Sequence, residues 1–204
     1  MKLPMFPLGS VLFPGGLLPL HIFEARYREL TRACLAGDRE FGVVLIERGS
    51  EVGGADVRHS IGTVAQIIEA TELEDGRWLL AAVGTRRIRV DAWLDERPYP
   101  LAEVSDWHDE RAGEGATARY AAVVAALRRV LALKSELGDA VTDSTIELSD
   151  DPGLGSFHVA AVGPWGPADQ YGLLSIAGTD ARIARLDALL AGEESFARAR
   201  MEMN

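Results

Sequence analysis

The chain has 204 residues, 48% apolar and 25% charged, with a net charge of -10 at neutral pH. That is long enough to bury a core without disulfides or a structural metal, and too apolar for a disordered chain. An acidic total repels phosphate backbones and so disfavours nucleic acid as a partner, while Cys34, the single cysteine, excludes a disulfide framework and a cysteine-rich metal site and suits a reducing, cytoplasmic compartment.

The opening segment, Met5 to Phe23, runs nineteen residues without a charge. Length alone would allow a membrane span, but Pro7, Pro14 and Pro19 with Gly9, Gly15 and Gly16 would cost a helix roughly 10 kcal/mol in propensity. The same prolines break any signal-peptide core, and no small-residue cleavage site follows. Prolines and glycines punctuating short apolar runs predict strands at Leu3–Phe6 and Val11–Phe13. Phe23, Tyr27, Leu30 and Cys34 then recur at helical spacing, which predicts an amphipathic helix ended by Gly37, with Glu24 and Arg28, and Glu29 and Arg32, as ion pairs.

Strands are predicted next, at Phe41–Glu47 and Ile61–Glu72, across a loop rich in glycine and charge. Asp75-Gly76 between Thr63–Glu72 and Arg77–Val83 is a strong hairpin signal. Gly84-Thr85 predicts a second tight turn into Arg86–Leu94, where Ile88, Val90 and Ala92 alternate with Arg87, Arg89, Asp91 and Trp93. Leu101–Trp107 follows the break at Pro98 and Pro100. Six or so short strands with one early helix predict a small, partly closed barrel.

Past the polar stretch His108–Gly115 the helical period takes over, which places a boundary between residues 1–112 and 113–204. Tyr120, Val123, Val124, Leu127, Val130, Leu131 and Leu137 share one stripe of a long helix, with Gly138 at its end. Residues 139–155 are expected to be a flexible acidic connection. Ser156–Val162 is an apolar run, Pro167–Leu174 a short helix, and Ile183, Leu186 and Leu190 mark a last helix capped by Thr179 and ended at Gly192.

Catalytic chemistry is hard to assemble from these residues. A phosphate-binding loop needs lysine after glycine, and the only lysines, Lys2 and Lys134, do not follow one. No G-x-S-x-G elbow is present, and Ser156 and His158 at i, i+2 would point apart on a helix. His21, His59, His108 and His158 form no metal-ligand cluster; His21 and Glu24 alone supply too few ligands, and local hydrogen bonding at the helix start explains them better. Cys34 on an apolar stripe reads as an inert buried thiol. No metal or other cofactor is expected. Arg86, Arg87 and Arg89 make the one basic cluster of the strand-rich half, read as a solvated face in preference to a contact for RNA or acidic peptide; Trp93 on the same face keeps the contact in view.

The motifs Leu3-Pro4-Met5-Phe6-Pro7-Leu8-Gly9, Leu12-Phe13-Pro14-Gly15, Pro19-Leu20-His21-Ile22-Phe23-Glu24 and Arg26-Tyr27 closely resemble the amino-terminal, substrate-binding domain of the Lon proteases. Phe41-Gly42-Val43-Val44-Leu45-Ile46, Ile61-Gly62-Thr63, Asp75-Gly76-Arg77 and Gly84 with Arg87 continue the resemblance in the same order. Ala25, where the family commonly has proline, and Gly163-Pro164-Trp165-Gly166 depart from it. The resemblance implies an α+β fold, a PUA-like six-stranded pseudo-barrel with an early helix followed by a C-terminal helical bundle. It also implies a non-catalytic module that binds unfolded or specific client polypeptides, without the family's ATPase and Ser-Lys peptidase modules, and with a protease in trans as a conceivable associate. An RNA-binding PUA-like protein is the alternative. The residues expected to touch a peptide are Leu17 and Leu18 in the opening turn, with Trp93, Trp165 and Tyr171 as aromatics outside any core stripe.

Overall fold

A computed structural model describes residues 1–48, 57–95 and 98–203, in two compact units, Met1–His108 and Asp109–Asn204. Most of the loop expected after Glu47 falls at residues 49–56, outside the described residues.

The first unit contains β1 (Lys2–Leu8), β2 (Leu17–Ile22), α1 (Ala25–Ala36), β3 (Glu40–Arg48), β4 (Val57–Glu72), β5 (Trp78–Trp93) and β6 (Leu101–Asp106). The strand order is β2-β5-β4-β3-β1-β6, and a further pairing of β5 with β6 closes the last five strands into a ring. Among the described strand pairings of this unit, β1–β3 is parallel and the others are antiparallel. Because side chains alternate across a strand, neighbouring residues of β1 serve different cores. Leu3 and Met5 join Val44, Val64, Ile88, Ala102 and Val104 in one cluster. Phe6 and Leu8 join a second, built with Tyr27, Leu30 and Cys34 of α1 against Phe41, Val43, Ile67, Leu80 and Ala82.

The strands β4 and β5 are each sixteen residues long and outrun the ring. Their overhang, with β2 added on β5, makes a three-stranded antiparallel sheet joined by the Asp75-Gly76 turn. The second turn expected at Gly84-Thr85 is absent. Strand β5 passes straight through it, and the local conformational demand is met by a register shift against β4 between Thr63 and Ala65.

Val11–Phe13 also differs from expectation: it is not a strand but a buried loop, with Leu12 and Phe13 covered. The Thr63 hydroxyl donates to the Leu12 carbonyl at 2.6 Å, and Gly84 exchanges backbone hydrogen bonds with Gly15 and Gly16, each 2.8 Å. The uncharged opening segment is therefore a lining of the sheet. Phe23 is 54% exposed because it precedes the first turn of α1, off the face carrying Tyr27, Leu30 and Cys34. Glu29 pairs with Arg32 as the spacing suggests, whereas Glu24 takes Arg26 at 3.1 Å.

The second unit holds α2 (Ala116–Glu136), α3 (Pro152–Val162), α4 (Pro167–Leu174) and α5 (Thr179–Met203). Buried Val123, Leu127, Val130 and Leu131 line one face of α2, and Ile183, Leu186 and Leu190 line α5. The connection read as flexible is shorter and pinned. Asp151 caps α3 by accepting from Leu154 N at 2.8 Å, with Pro152 in the first turn. Tyr120 donates to the Ser149 carbonyl, and the Ser149 N–H donates to His158 Nδ1. Nor does Gly192 end the last helix, since α5 continues to Met203; one glycine costs a helix only about 1 kcal/mol.

Candidate functional site

The three-stranded overhang has two unlike faces. Leu18, Leu20 and Ile22 of β2 and Leu80 and Ala82 of β5 turn inward onto the cluster shared with α1. The opposite face carries Leu17, Pro19 and His21 of β2, in cross-strand register with Val83, Ala81 and Leu79 of β5. Beyond them lie Glu69 and Thr71 of β4. A register shift between Ile67 and Glu69 inserts Ile68 as an extra residue, and the bulge leaves it in solvent. Leu17 is 66% exposed, Ile68 56% and Leu79 48%. Single exposed apolar residues are ordinary, but Leu17 and Leu79 are linked on this face by Pro19, Ala81 and Val83, with Ile68 on the adjacent strand, and an apolar face of this kind marks an interaction site.

Strand β2 is the open edge of the sheet, and Pro19 lies in it. A proline there withholds a donor, which blunts the edge against strand addition. Recognition at this edge therefore falls to side chains. Beside it, a pocket of about 220 Å³ opens between β2 and the start of α1. Its lining includes Phe6 and Tyr27, stacked with centroids 4.0 Å apart. His21 and Phe23, in an edge-on ring contact at 6.3 Å, also line it, and His21 belongs to the exposed face as well. Pro19 and His21 thus belong to both the outer face and the lining of the pocket.

Of the residues expected to touch a peptide, Leu17 lies on this surface, while Leu18 packs inward. Trp93 ends β5 at 37% exposure, with the Arg58 guanidinium 4.5 Å over its ring. Trp165 and Tyr171 belong to the second unit, half-buried. Within the first unit, Leu17, Leu18 and Trp93 lie on different parts of the sheet. The three clustered arginines do not make a free basic face. Arg86 is held by both Glu40 oxygens at 2.7 and 2.9 Å and by Asp106 at 3.3 Å. Arg87 is 4% exposed, and Arg89 pairs with Asp91 at 3.4 Å. Arg87 and Arg89 keep the alternation, but Arg87 lies opposite buried Thr63, whose hydroxyl donates to the Leu12 carbonyl.

Sequence reading missed Leu79, Ile68 and Phe23. The signal was there in Leu79-Leu80-Ala81-Ala82-Val83, which is apolar at both parities. A hairpin strand with one solvated face should alternate, so such a run requires either two covered faces or one exposed apolar face.

Other chemistry-bearing residues are engaged in structure. Burial pushes the Cys34 thiol up to about 12, and its Sγ donates to the Glu40 carbonyl at 3.2 Å. Ser156 donates to Gly153 O and accepts from Arg182, while His158 is turned to Ser149. Among the described residues no three His, Cys, Asp or Glu side chains are grouped to hold a metal ion. No helix of the described residues is long and apolar enough to cross a membrane.

The family model described as the ATP-dependent protease La (LON) substrate-binding domain matches residues 2–192. Among curated proteins, Lon protease 2 of Myxococcus xanthus is 32% identical over 74% of this chain, which spans 19% of that relative. Lon protease of Flavobacterium johnsoniae is 33% identical over 56% of this chain, spanning 14% of the relative. Among solved structures, a Lon N-terminal domain protein from Xanthomonas campestris superposes with a TM-score of 0.69 at 28% identity, covering 92% of this chain and 98% of the other. The N-terminal domain of the Mycobacterium avium complex Lon protease has the same TM-score at 17% identity, over 94% and 98%, a likeness of fold.

Proposed function

This chain belongs to the ATP-dependent protease La (LON) substrate-binding domain family, and from that premise we propose that it is a non-catalytic module that captures exposed apolar segments of other polypeptides. It covers about a fifth of the Myxococcus relative, so delivery of clients to an ATPase or peptidase is part of the proposal, as is action in the cytoplasm. The observation that carries the reading is the apolar outer face of β2, β5 and β4. Fully burying an aliphatic side chain is worth about 1.5–3 kcal/mol. Leu17, Ile68 and Leu79 are 66%, 56% and 48% exposed, which leaves about 1 kcal/mol each to be gained on docking. Three together suit transient capture, with specificity left to the pocket beside Phe6 and Tyr27.

An RNA-binding role draws less support, because Arg86 and Arg89 are neutralised by carboxylates and the net charge is -10. The test is fluorescence anisotropy with a labelled, permanently unfolded polypeptide, such as reduced and carboxymethylated lactalbumin. Saturable binding that Leu79→Asp or Ile68→Asp weakens by about tenfold or more is the expected result. Undiminished binding by both variants, each still folded, would remove the face from the proposal.

A further inference from the structure

The overhang of β4 and β5 has a second open edge, on the side of β4 away from β5. Pairing of β3 with β4 ends at Glu40 and Gln66. One residue further the chain supplies a last substitute for a strand. The Arg39 carbonyl accepts from the Ile67 N–H at 2.8 Å, and Arg39 Nε donates to the Ile67 carbonyl at 3.2 Å. Past Ile67, no strand pairs with that side of β4 among the described residues.

The register fixes what this edge presents. The Leu73 N–H donates to the Arg77 carbonyl at 2.8 Å, and the pairs then run one for one from Glu72 and Trp78 to Glu69 and Ala81. Hydrogen-bonded and non-bonded pairs alternate along an antiparallel ladder. Thr71 and Glu69 therefore turn their N–H and C=O groups to β5. Ala70 and Glu72 turn theirs outward, two donors and two acceptors spaced about 7 Å along the strand. The same alternation on β5 makes Leu18 and Leu20 the bonded partners on β2, which leaves Pro19 turned to the open side. The two edges are thus unlike: the middle outward position of β2 lacks a donor, whereas Ala70 and Glu72 both keep one. Donors and acceptors repeating every second residue match an extended strand, because a helix spends these groups internally.

Charge narrows the partner. Glu69 on the outer face and Glu74 in the turn are exposed, without an ion-pair partner among the described residues. Glu72 shares Arg32 with Glu29. Antiparallel pairing with a second copy of this edge would set these carboxylates against their own counterparts, and like charges across a ladder repel. A strand carrying lysine or arginine beside Glu69 meets the opposite charge.

We propose that a client enters as a strand added to β4 at Ala70 and Glu72, an extended segment with basic side chains beside Glu69 and apolar ones on the Ala70 side. The inference rests on the capture reading, whose clients it takes as the occupants, and names the mode of binding.

The probe is a fluorescently labelled, end-capped peptide alternating valine and arginine, titrated into the full chain by anisotropy. In this register the valines turn their N–H groups to β4, and the arginines turn theirs to solvent. N-methylation of the valines should weaken binding about tenfold or more, and N-methylation of the arginines should leave it within about threefold. Equal effects, or the reverse order, would overturn the proposal, and this comparison needs no protein variant. Ala70→Pro, which copies the device at Pro19, should weaken binding about tenfold, and Glu72→Pro should weaken it more than Glu72→Gln. Undiminished binding by both proline variants, shown folded by thermal melts, would overturn it as well. A peptide with glutamate in place of arginine should bind about threefold or more weakly. Glu69→Gln should narrow that preference, and Glu103→Gln, on β6, should not; an unaltered preference in Glu69→Gln would refute the charge assignment. Carboxymethylated lactalbumin separates the two readings. Lactalbumin binding that depends on Leu79, with a peptide indifferent to N-methylation, would overturn strand addition alone. The full peptide pattern without lactalbumin binding would support the edge and remove the capture of unfolded chains.

Discussion

Replacing Arg182 with methionine tests what holds the helical unit together. Its guanidinium is wholly buried and donates from Nε to Ser156 Oγ at 2.9 Å, and to the two Asp109 oxygens at 3.0 and 3.2 Å. The carbonyls of Ile176 and Gly153 also accept from it, at 3.3 and 3.4 Å. It stacks on Phe157 at 3.7 Å. Burial pushes its pKa down, and the hydrogen bonds to Asp109 oppose that. Methionine keeps most of the stem's packing, so the cost comes from stranded acceptors, at about 1–3 kcal/mol each when buried. The Asp109 side chain is 30% exposed and can rehydrate in part, which holds the total near the 3–5 kcal/mol range typical of breaking a buried pair from one side. With a urea slope of about 2 kcal/mol/M, the midpoint of the helical circular-dichroism transition should fall by about 2 M. Asp109→Asn, retaining an acceptor in a part-solvated position, should cost about 1–2 kcal/mol, and the double variant should fall well short of additive. A loss below about 1 kcal/mol for Arg182→Met, or strict additivity, would refute the account.

Three further outcomes follow from the same kind of reading. Cys34, its thiol pushed to about 12 by burial, should react with iodoacetamide at pH 8 only as fast as the native state opens; labelling at the rate of a free thiol would contradict the packing. Gly84→Ala should destabilise by more than about 3 kcal/mol in urea, because its Cβ would overlap the Phe13 carbonyl and a backbone atom cannot yield as a side chain can; a small loss would mean that the Gly15–Gly16 loop is not seated as described. Burial lowers the His158 pKa below 6.5, so the folded state binds fewer protons than the unfolded one. This contribution to stability is complete above pH 6.5 and is lost as pH falls towards the folded value. The urea stability advantage of the parent over His158→Gln should therefore shrink between pH 7.5 and 5.5, and a constant difference would count against it.

How far the sequence could be read depended on whether local or long-range forces decided each element. Helix α1 and the Asp75-Gly76 hairpin were legible because spacing and turn chemistry are local. Leu12 and Phe13 looked like a strand but became a buried loop, because a hydroxyl fifty-one residues away on Thr63 satisfies the Leu12 carbonyl. Gly84 looked like a turn residue, yet its bare backbone serves a close approach by Gly15 and Gly16. Arg87 looked outward by alternation with Arg89, but its cross-strand partner Thr63 is buried and hydrogen-bonded to the Leu12 carbonyl, a long-range contact on that face. At the candidate surface only Leu17 was legible, from its bounded turn. Leu79 was signalled only by the unbroken apolar run from Leu79 to Val83, which leaves open which face is covered, and Ile68 depends on one bulge that local spacing does not encode.

That overhang explains why an apolar surface exists at this end of the sheet. Inside the ring, both parities of strand residues meet neighbours, as Met5 and Phe6 do on successive positions of β1. Past the ring, α1 covers one face of β2, β5 and β4, and no described element of the first unit is assigned to the other. If that outer face were only a solvated surface, polar residues at Leu17, Ile68 and Leu79 would serve equally well at the same strand propensity, threonine being the obvious substitute. Their apolar character brings an aggregation hazard at an open sheet edge, which Pro19 reduces by withholding a donor and the net charge of -10 reduces by mutual repulsion. Both devices suppress backbone pairing and self-association while leaving the side-chain face accessible. That combination is expected of a surface that must hold other polypeptides briefly without polymerising with copies of itself.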